Sequence, residues 1–174
     1  MQRLARFVSS FGLVFFLTTF AAGQQATPTK VRIGTYDNRS IAVAYAASSL
    51  NPVRKNMAEL DAAKKAGDEK KIKELEAWGR DHQRMLHFQG FARVPVGDLL
   101  APVKDQVAQI AAEEKVFAIV MDFDYRAFDV EAVDVTEKLV ELYKPTNKTR
   151  EMARKVREAK PVSLTVLADL PADK

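Results

Sequence analysis

The spacing of apolar residues divides most of the chain into strands and helices. Residues 30–36 (KVRIGTY) alternate apolar and polar positions, which predicts a β-strand. Residues 52–66 and 69–89 place apolar residues three and four positions apart, which is the period of an amphipathic helix. Because only Gly67 and Asp68 separate these two helices, we predict an antiparallel helical hairpin about 25–30 Å long.

Further elements are predicted on both sides of the hairpin. A short helix is expected at residues 40–49 and a longer one at residues 98–115, in which Pro102 is tolerated only in the first turn. Residues 116–123 (VFAIVMDF) are mainly apolar, which predicts a central strand buried on both faces. The acidic residues between this run and Asp134 are interpreted as a turn-rich link.

The C-terminal part predicts two helices and a last strand. Asp134 and Glu137 have the spacing of a capping box, which places the start of a helix at Asp134. Residues 147–160 predict a basic helix that is largely exposed. Residues 161–170 alternate apolar and polar positions and predict a final strand.

The first residues have the pattern of an export signal. Arg3 and Arg6 precede an apolar run at residues 7–20, and small residues follow up to Gly23. This pattern predicts a signal peptide at residues 1–23 with cleavage after Gly23. An uncleaved membrane anchor is the alternative, but the apolar run is short for a bilayer span of about 20 residues.

The remaining residues 24–174 are predicted to form one domain. The fold class expected is α+β: a small β-sheet or barrel body with a projecting antiparallel α-helical hairpin, a coiled-coil arm. The arm covers about residues 52–91, and the body covers about residues 30–50 and 98–170. With no cysteine for disulfides, such a domain must be stabilised by packing or by oligomerisation.

Charge is distributed unevenly along the chain. Residues 98–143 hold 11 acidic and 4 basic residues, a net charge of −7, and residues 144–160 hold 2 acidic and 7 basic residues, a net charge of +5. The turn of the hairpin carries four lysines, which we call the lysine tip: Lys64, Lys65, Lys70 and Lys71. Such runs are often only solvated faces, but segregated charge can also steer partners or join subunits.

Residues suited to catalysis or metal binding are scarce. His82 and His87 are five positions apart, which places them on different faces of a helix. Asp122 and Asp124 begin like a calcium loop, but Arg126 occupies the third ligand position. A nucleophile elbow and a glycine-rich phosphate loop are both missing from the sequence. We therefore predict a protein that is not an enzyme, with no metal, no cofactor and no nucleic-acid partner.

The order of these elements resembles the Skp/OmpH family of periplasmic chaperones. An export signal precedes a strand (KVRIGTYD), and a helical hairpin with a basic tip follows. A helix then leads into a hydrophobic strand in VKDQVAQIAAEEKVFAIVMDFD, and the block closes with DVTEKLVELY. The resemblance covers about residues 30–143 and is that of a short-armed, divergent member.

The resemblance implies a periplasmic homotrimer that acts without ATP. Strands of the subunits would join into a small barrel, and the arms would surround a cavity that holds unfolded outer-membrane or exported proteins. The lysine tip would match the family's basic tips and could also contact an anionic membrane surface. Client-binding residues carried over to this chain are Lys64, Lys65, Lys70, Lys71, Met57, Leu60, Leu75, Trp78, Met85 and Phe88.

Two other functions compete with the chaperone hypothesis. The chain could be a non-catalytic structural or adaptor protein of the envelope that uses the helical hairpin to dock one folded partner. An enzyme would need a pocket around Asp122 and Asp124. These two residues belong to the densest acidic cluster of the sequence, which also contains Asp129, Glu131 and Asp134.

Overall fold

The computed structural model describes residues 30–169 of the 174-residue chain. The fold is mixed α and β, mostly helical, with one small sheet. The predicted export signal at residues 1–23 lies outside the described residues, as do residues 170–174.

The sheet has three parallel strands in the order β2–β1–β3. Strand β1 spans Val31–Thr35, as the alternating pattern predicts, and it occupies the centre. Strand β2 is only Ile119–Val120, and β3 spans Val130–Asp134. The sheet is open within the chain, because β2 and β3 each pair on one side only.

Two predictions about the sheet are wrong. Residues 116–123 do not form a central strand, since only Ile119 and Val120 pair with β1 and Phe117 is 83% exposed. The acidic link is not all loop, since it contains β3, which pairs with β1 over five positions. The high apolar content of residues 116–123 therefore predicted a central strand, whereas β1 is central and β2 lies at an edge.

Helices α1 to α3 follow β1. Helix α1 spans Asn38–Ala47, α2 spans Val53–Ala66 and α3 spans Glu69–Phe91. Gly67 ends α2 with a φ of 69°, and the Asp68 side chain caps α3 by accepting a hydrogen bond from the Lys71 amide. Helices α2 and α3 pack against each other, and the end of α3 also packs against α1.

The helix predicted at residues 98–115 is divided at its proline. Helix α4 spans Gly97–Leu100, a 3-10 turn follows at Ala101–Val103, and α5 spans Lys104–Glu114. Pro102 lies in the 3-10 turn, because a proline cannot donate the hydrogen bond that a continuous helix requires.

Three more helices complete the described chain, and two predictions fail here. Helix α6 spans Thr136–Glu141, α7 spans Asn147–Glu158 and α8 spans Leu164–Ala168. The capping box is absent, because Asp134 ends β3 and its Oδ1 accepts from the Thr136 amide instead. The final strand predicted at residues 161–170 is also absent, because the Ser163 side chain caps α8 through the Val166 amide.

Helices α6 and α7 join the acidic and basic parts of the sequence. Arg150 pairs with Glu141 at 2.6 Å, and Arg154 pairs with Glu137 at 3.1 Å. Arg157 completes the series by pairing with Asp134. The acidic surplus of residues 98–143 therefore meets the basic helix of the same chain.

Three consecutive polar residues at the start of α1 hold the helices together. The Asn38 amide nitrogen donates to the carbonyl oxygens of Gln89 and Ala92, at the end of α3. Arg39 donates to the Ala159 carbonyl, and Ser40 donates to the Ala153 carbonyl. The start of α1 thus fixes both α3 and α7. Around it lies the core, a cluster that includes Tyr36, Ile41, Ala44, Tyr45, Val96, Leu99, Val135, Leu139 and Tyr143.

Candidate functional site

An apolar groove of about 500 Å³ lies between α1, α2 and α3. We call it the groove. Helix α2 contributes Val53, Met57 and Leu60, whose spacing of four and three keeps them on one face. Helix α3 contributes apolar residues that include Leu75, Trp78 and Leu86, and α1 lines the remaining side of the groove. The full lining is Ala42, Val43, Ala46, Val53, Asn56, Met57, Leu60, Leu75, Glu76, Trp78, Gly79, His82, Gln83, Leu86, His87, Gly90 and Phe91.

Small residues keep the groove open. On the side of α1 the lining residues include Ala42 and Ala46, which have no side chain long enough to reach across. Gly79 lies in α3, and a Cβ placed there would meet no atom within 4 Å. The apolar stripes of α2 and α3 are therefore not fully used in packing the two helices together.

Four of the predicted apolar client-binding residues line the groove together. They are Met57, Leu60, Leu75 and Trp78. Leu75 is buried between the helices, whereas Met57 is 61% exposed. The groove thus has both a fixed floor and an accessible rim.

Met85 and Phe88 do not line the groove. Met85 is exposed and lines a smaller cavity beside it. Phe88 is half-buried, with the Arg84 guanidinium 5.5 Å from the centre of its ring. Both residues continue the stripe of α3 beyond the part that faces α2.

The lysine tip is exposed, and half of it is paired. Lys64 lies 3.4 Å from Glu76 and Lys71 lies 3.5 Å from Glu59, so each pair links α2 to α3. Exposed pairs of this kind contribute about 0–1 kcal/mol. Lys65 and Lys70 have no carboxylate within salt-bridge distance among the described residues, which leaves them available to a partner.

Trp78 and His82 form the central part of the α3 wall. Their rings stack at 4.6 Å, and the His82 Nε2 atom lies 2.9 Å from the Asn51 Oδ1 atom. Burial lowers the pKa of His82, although the nearby Asp98 carboxylate acts in the opposite direction. The imidazole is therefore neutral at pH 7, and its interactions are those of an ordered interface residue.

A second cavity of about 230 Å³ adjoins the groove. We call it the subsite. Trp78, His82 and Leu86 line both spaces, so the two lie side by side along α3. The other residues of the subsite are Tyr45, Pro52, Met85, Gln89, Asp98 and Leu99.

Gln89 and Asp98 form a polar corner of the subsite. The buried Gln89 Nε2 atom donates to Asp98 Oδ1 at 2.7 Å and to the Pro95 carbonyl at 3.3 Å. Both partners are acceptors, so they fix which end of the Gln89 amide is the nitrogen. The Asp98 carboxylate is exposed and is held in place by this bond.

A polar crevice of about 320 Å³ lies where the three parallel strands end. Asp122 is part of its lining and pairs with Arg93, but Asp124 is not. Burial tends to raise the pKa of Asp134, but hydrogen bonds from Thr136 and Arg157 outweigh it and lower the pKa. This carboxylate is therefore ionised and paired, which suits a structural role better than proton transfer.

Sequence reasoning did not identify the subsite or the polar start of α1. Gln89, Asp98 and Tyr45 come from three helices, and no short motif joins them. The signal available for Asn38 to Ser40 was three polar residues at the start of a helix with an alanine-rich apolar face.

Comparisons with protein-family models, with curated proteins and with solved structures give no match to this chain. Within residues 30–169, no helix has the length and apolar character needed to cross a bilayer. The same residues contain no group of three or more His, Cys, Asp or Glu side chains placed to hold a metal ion.

Proposed function

We propose that this chain is an ATP-independent holdase that binds unfolded outer-membrane or exported proteins in the periplasm. The groove is the observation that carries the proposal. Its walls are mainly apolar, it is open to solvent, and it contains four of the residues assigned to client binding by resemblance. An open apolar groove favours apolar side chains of a non-native chain without requiring one sequence.

The size of the groove implies weak and reversible binding. Burial of one large apolar side chain contributes about 1.5–3 kcal/mol, and a volume of about 500 Å³ accommodates only two or three of them. Part of this gain is offset by the order imposed on a flexible client. A micromolar or weaker affinity per groove follows, which allows release without ATP.

The helix pair α2–α3 acts in this proposal as a short arm with a charged end. Lys65 and Lys70 offer positive charge near the end of the groove. An acidic client segment, or an anionic membrane surface, would be attracted there in a salt-dependent way.

We also propose that the chain self-associates through its sheet, with a homotrimer as the state implied by the resemblance. Ile119 and Val133 pack against the helical core, so alternate positions of the strands face the other way. On that outer face Val31 is 41% exposed, and Ile33 and Ala132 are only half-buried. Parallel sheets are normally covered on both faces, so a subunit partner would bury a face that this chain leaves open.

Suppression of aggregation tests the holdase proposal. The variant Met57→Glu places a charge on the accessible rim of the groove, and Met152→Glu is a matched control because Met152 is 50% exposed on α7. The unmodified protein and the control should slow aggregation of a denatured outer-membrane β-barrel protein, whereas Met57→Glu should lose most of this effect. Equal activity of all three proteins would contradict the assignment of the groove.

The second candidate function is an envelope adaptor that docks one folded partner. The observation that favours it is the narrow groove between three helices, which also suits a single amphipathic helix. Light scattering of the purified protein, with and without an unfolded barrel protein, separates the two. A holdase should form complexes with several unrelated unfolded proteins, whereas an adaptor should bind one folded partner and leave aggregation unchanged.

A further inference from the structure

We propose that the subsite takes the ammonium or guanidinium group of a basic side chain, from a client segment whose neighbouring apolar residues lie in the groove. This inference rests on the proposed function and adds a charge preference to it. The holdase would then favour apolar segments that contain a lysine or an arginine over apolar segments without one.

The lining of the subsite has the chemistry that an organic cation requires. Asp98 supplies an exposed carboxylate, and the Gln89 amide holds its Oδ1 atom at 2.7 Å. The rings of Tyr45, Trp78 and His82 form the wall around it. Carboxylates bind cations by charge, and aromatic rings attract them through their negative faces.

The remaining lining residues suit the aliphatic part of a long side chain. Met85, Leu86 and Leu99 are apolar and line the same cavity as the carboxylate. Lysine and arginine bury their methylene groups against such surfaces while the charged group reaches a polar partner. A volume of about 230 Å³ is that of one side chain rather than of a folded element.

The charges around the subsite select a cation over an anion. Asp98 contributes the one full charge among its lining residues, and His82 is neutral because burial lowers its pKa. The influence of Asp98 reaches into the cavity, since after burial it is the second cause that raises the pKa of Tyr45. A phosphate or a carboxylate would be repelled there.

The position of the subsite beside the groove points to a client side chain as the source of the cation. Trp78, His82 and Leu86 line both spaces, so a segment that places apolar residues in the groove can place its next side chain in the subsite. A free organic amine has the same charged group but gains nothing from the groove. The two sources can therefore be distinguished by affinity.

Trp78 offers a direct measurement, because it is the one tryptophan of the chain and lines both spaces. Its fluorescence would be followed during titration of the full chain with tryptophan-free apolar peptides that differ at one position, lysine against norleucine. The lysine peptide should bind roughly tenfold more tightly, from one exposed charge pair and one cation–aromatic contact. Asp98→Asn should remove this difference, and Asp105→Asn, an exposed acid of α5 outside the subsite lining, should preserve it.

The outcomes separate this inference from the proposed function. Equal affinities of the two peptides, or a lysine preference that survives Asp98→Asn, would overturn the subsite while leaving the groove intact. Failure of both peptides to bind would overturn the groove and the subsite together. Butylamine is the probe for a free amine: binding as tight as that of the lysine peptide would overturn the client assignment, and binding far weaker supports it.

Discussion

Removal of the Asn38 side chain should destabilise the protein, because this side chain joins the start of α1 to the end of α3. Asn38 is 1% exposed, and its Nδ2 atom donates to the Gln89 carbonyl at 2.8 Å and to the Ala92 carbonyl at 2.7 Å. Both acceptors lie at the end of α3, where no further helical turn can satisfy them. Asn38→Ala therefore removes two bonds and leaves two buried carbonyl oxygens short of a donor.

The expected loss is about 2–4 kcal/mol. Each hydrogen bond contributes about 1 kcal/mol net, and a buried group left without a partner costs about 1–3 kcal/mol. The two contributions overlap, so they do not add in full. Asn38→Asp keeps the size of the side chain but replaces the donor with a carboxylate that faces two carbonyl oxygens, and its loss should be at least as large.

Urea denaturation followed by circular dichroism would measure the change. The midpoint should fall with little change in slope, and the control Asn147→Ala, at the exposed start of α7, should stay within about 0.5 kcal/mol of the unmodified protein. A loss for Asn38→Ala below about 1 kcal/mol would refute the reasoning, because the two bonds would then not hold α3 to α1.

Three further predictions concern the sheet and its surroundings. Gly34→Ala should destabilise by about 1–3 kcal/mol in the same denaturation assay, because its Cβ would lie 3.0 Å from the Ile119 Cγ1 atom; unchanged stability would show that the strands can move apart. The folded state favours the ionised form of Asp134, so this residue stabilises the fold at pH values above the ordinary aspartate pKa. That stabilisation is lost as the pH falls through the lowered pKa of Asp134 in the folded state. Acid titration of stability should therefore be less steep for Asp134→Asn, and an identical slope would contradict this. Burial raises the pKa of Tyr143, so its phenol should stay protonated above pH 10.0 and titrate with alkaline unfolding, measured by phenolate absorbance; titration in the folded state at the ordinary value would contradict the burial.

The elements predicted well are those whose signals are local. The alternation around β1 and the apolar periods of α2 and α3 lie within single segments. Gly67 could be identified as a helix break from its residue type, because glycine readily adopts the left-handed conformation that ends a helix. Its φ of 69° agrees with this. Each of these features needs no information from distant residues.

The position of a strand within the sheet could not be predicted, because it depends on partners far along the chain. Residues 116–123 are more apolar than β3, yet β3 pairs with β1 over five positions and β2 over two. In β3 the charged Glu131 and Asp134 interrupt a short apolar segment, and this sequence resembles that of an acidic loop. Similarly, the alternation at residues 161–170 is overridden by the cap that Ser163 provides.

The candidate site was predicted as a stripe but not as a cavity. Helical period correctly groups Met57, Leu60, Leu75 and Trp78, but it cannot show where a third helix packs. Met85 and Phe88 lie outside the groove, because the end of α3 lines it with other residues, among them Leu86 and Gly90. The predicted apolar stripe therefore contains more residues than those that line the groove.

An apolar stripe on a helical hairpin has two possible uses, since the same residues can join the helices or bind a client. In this chain buried and exposed apolar residues are separated along the depth of the groove. Leu75 and Ala63 are buried between α2 and α3 and join the helices, whereas Met57 remains exposed at the rim. The small Ala42 and Ala46 on α1 leave the space between α1 and the hairpin helices unfilled. An open apolar groove costs stability that larger residues at these positions would have provided. That cost is the physical argument that favours the proposed binding function of the groove over imperfect packing.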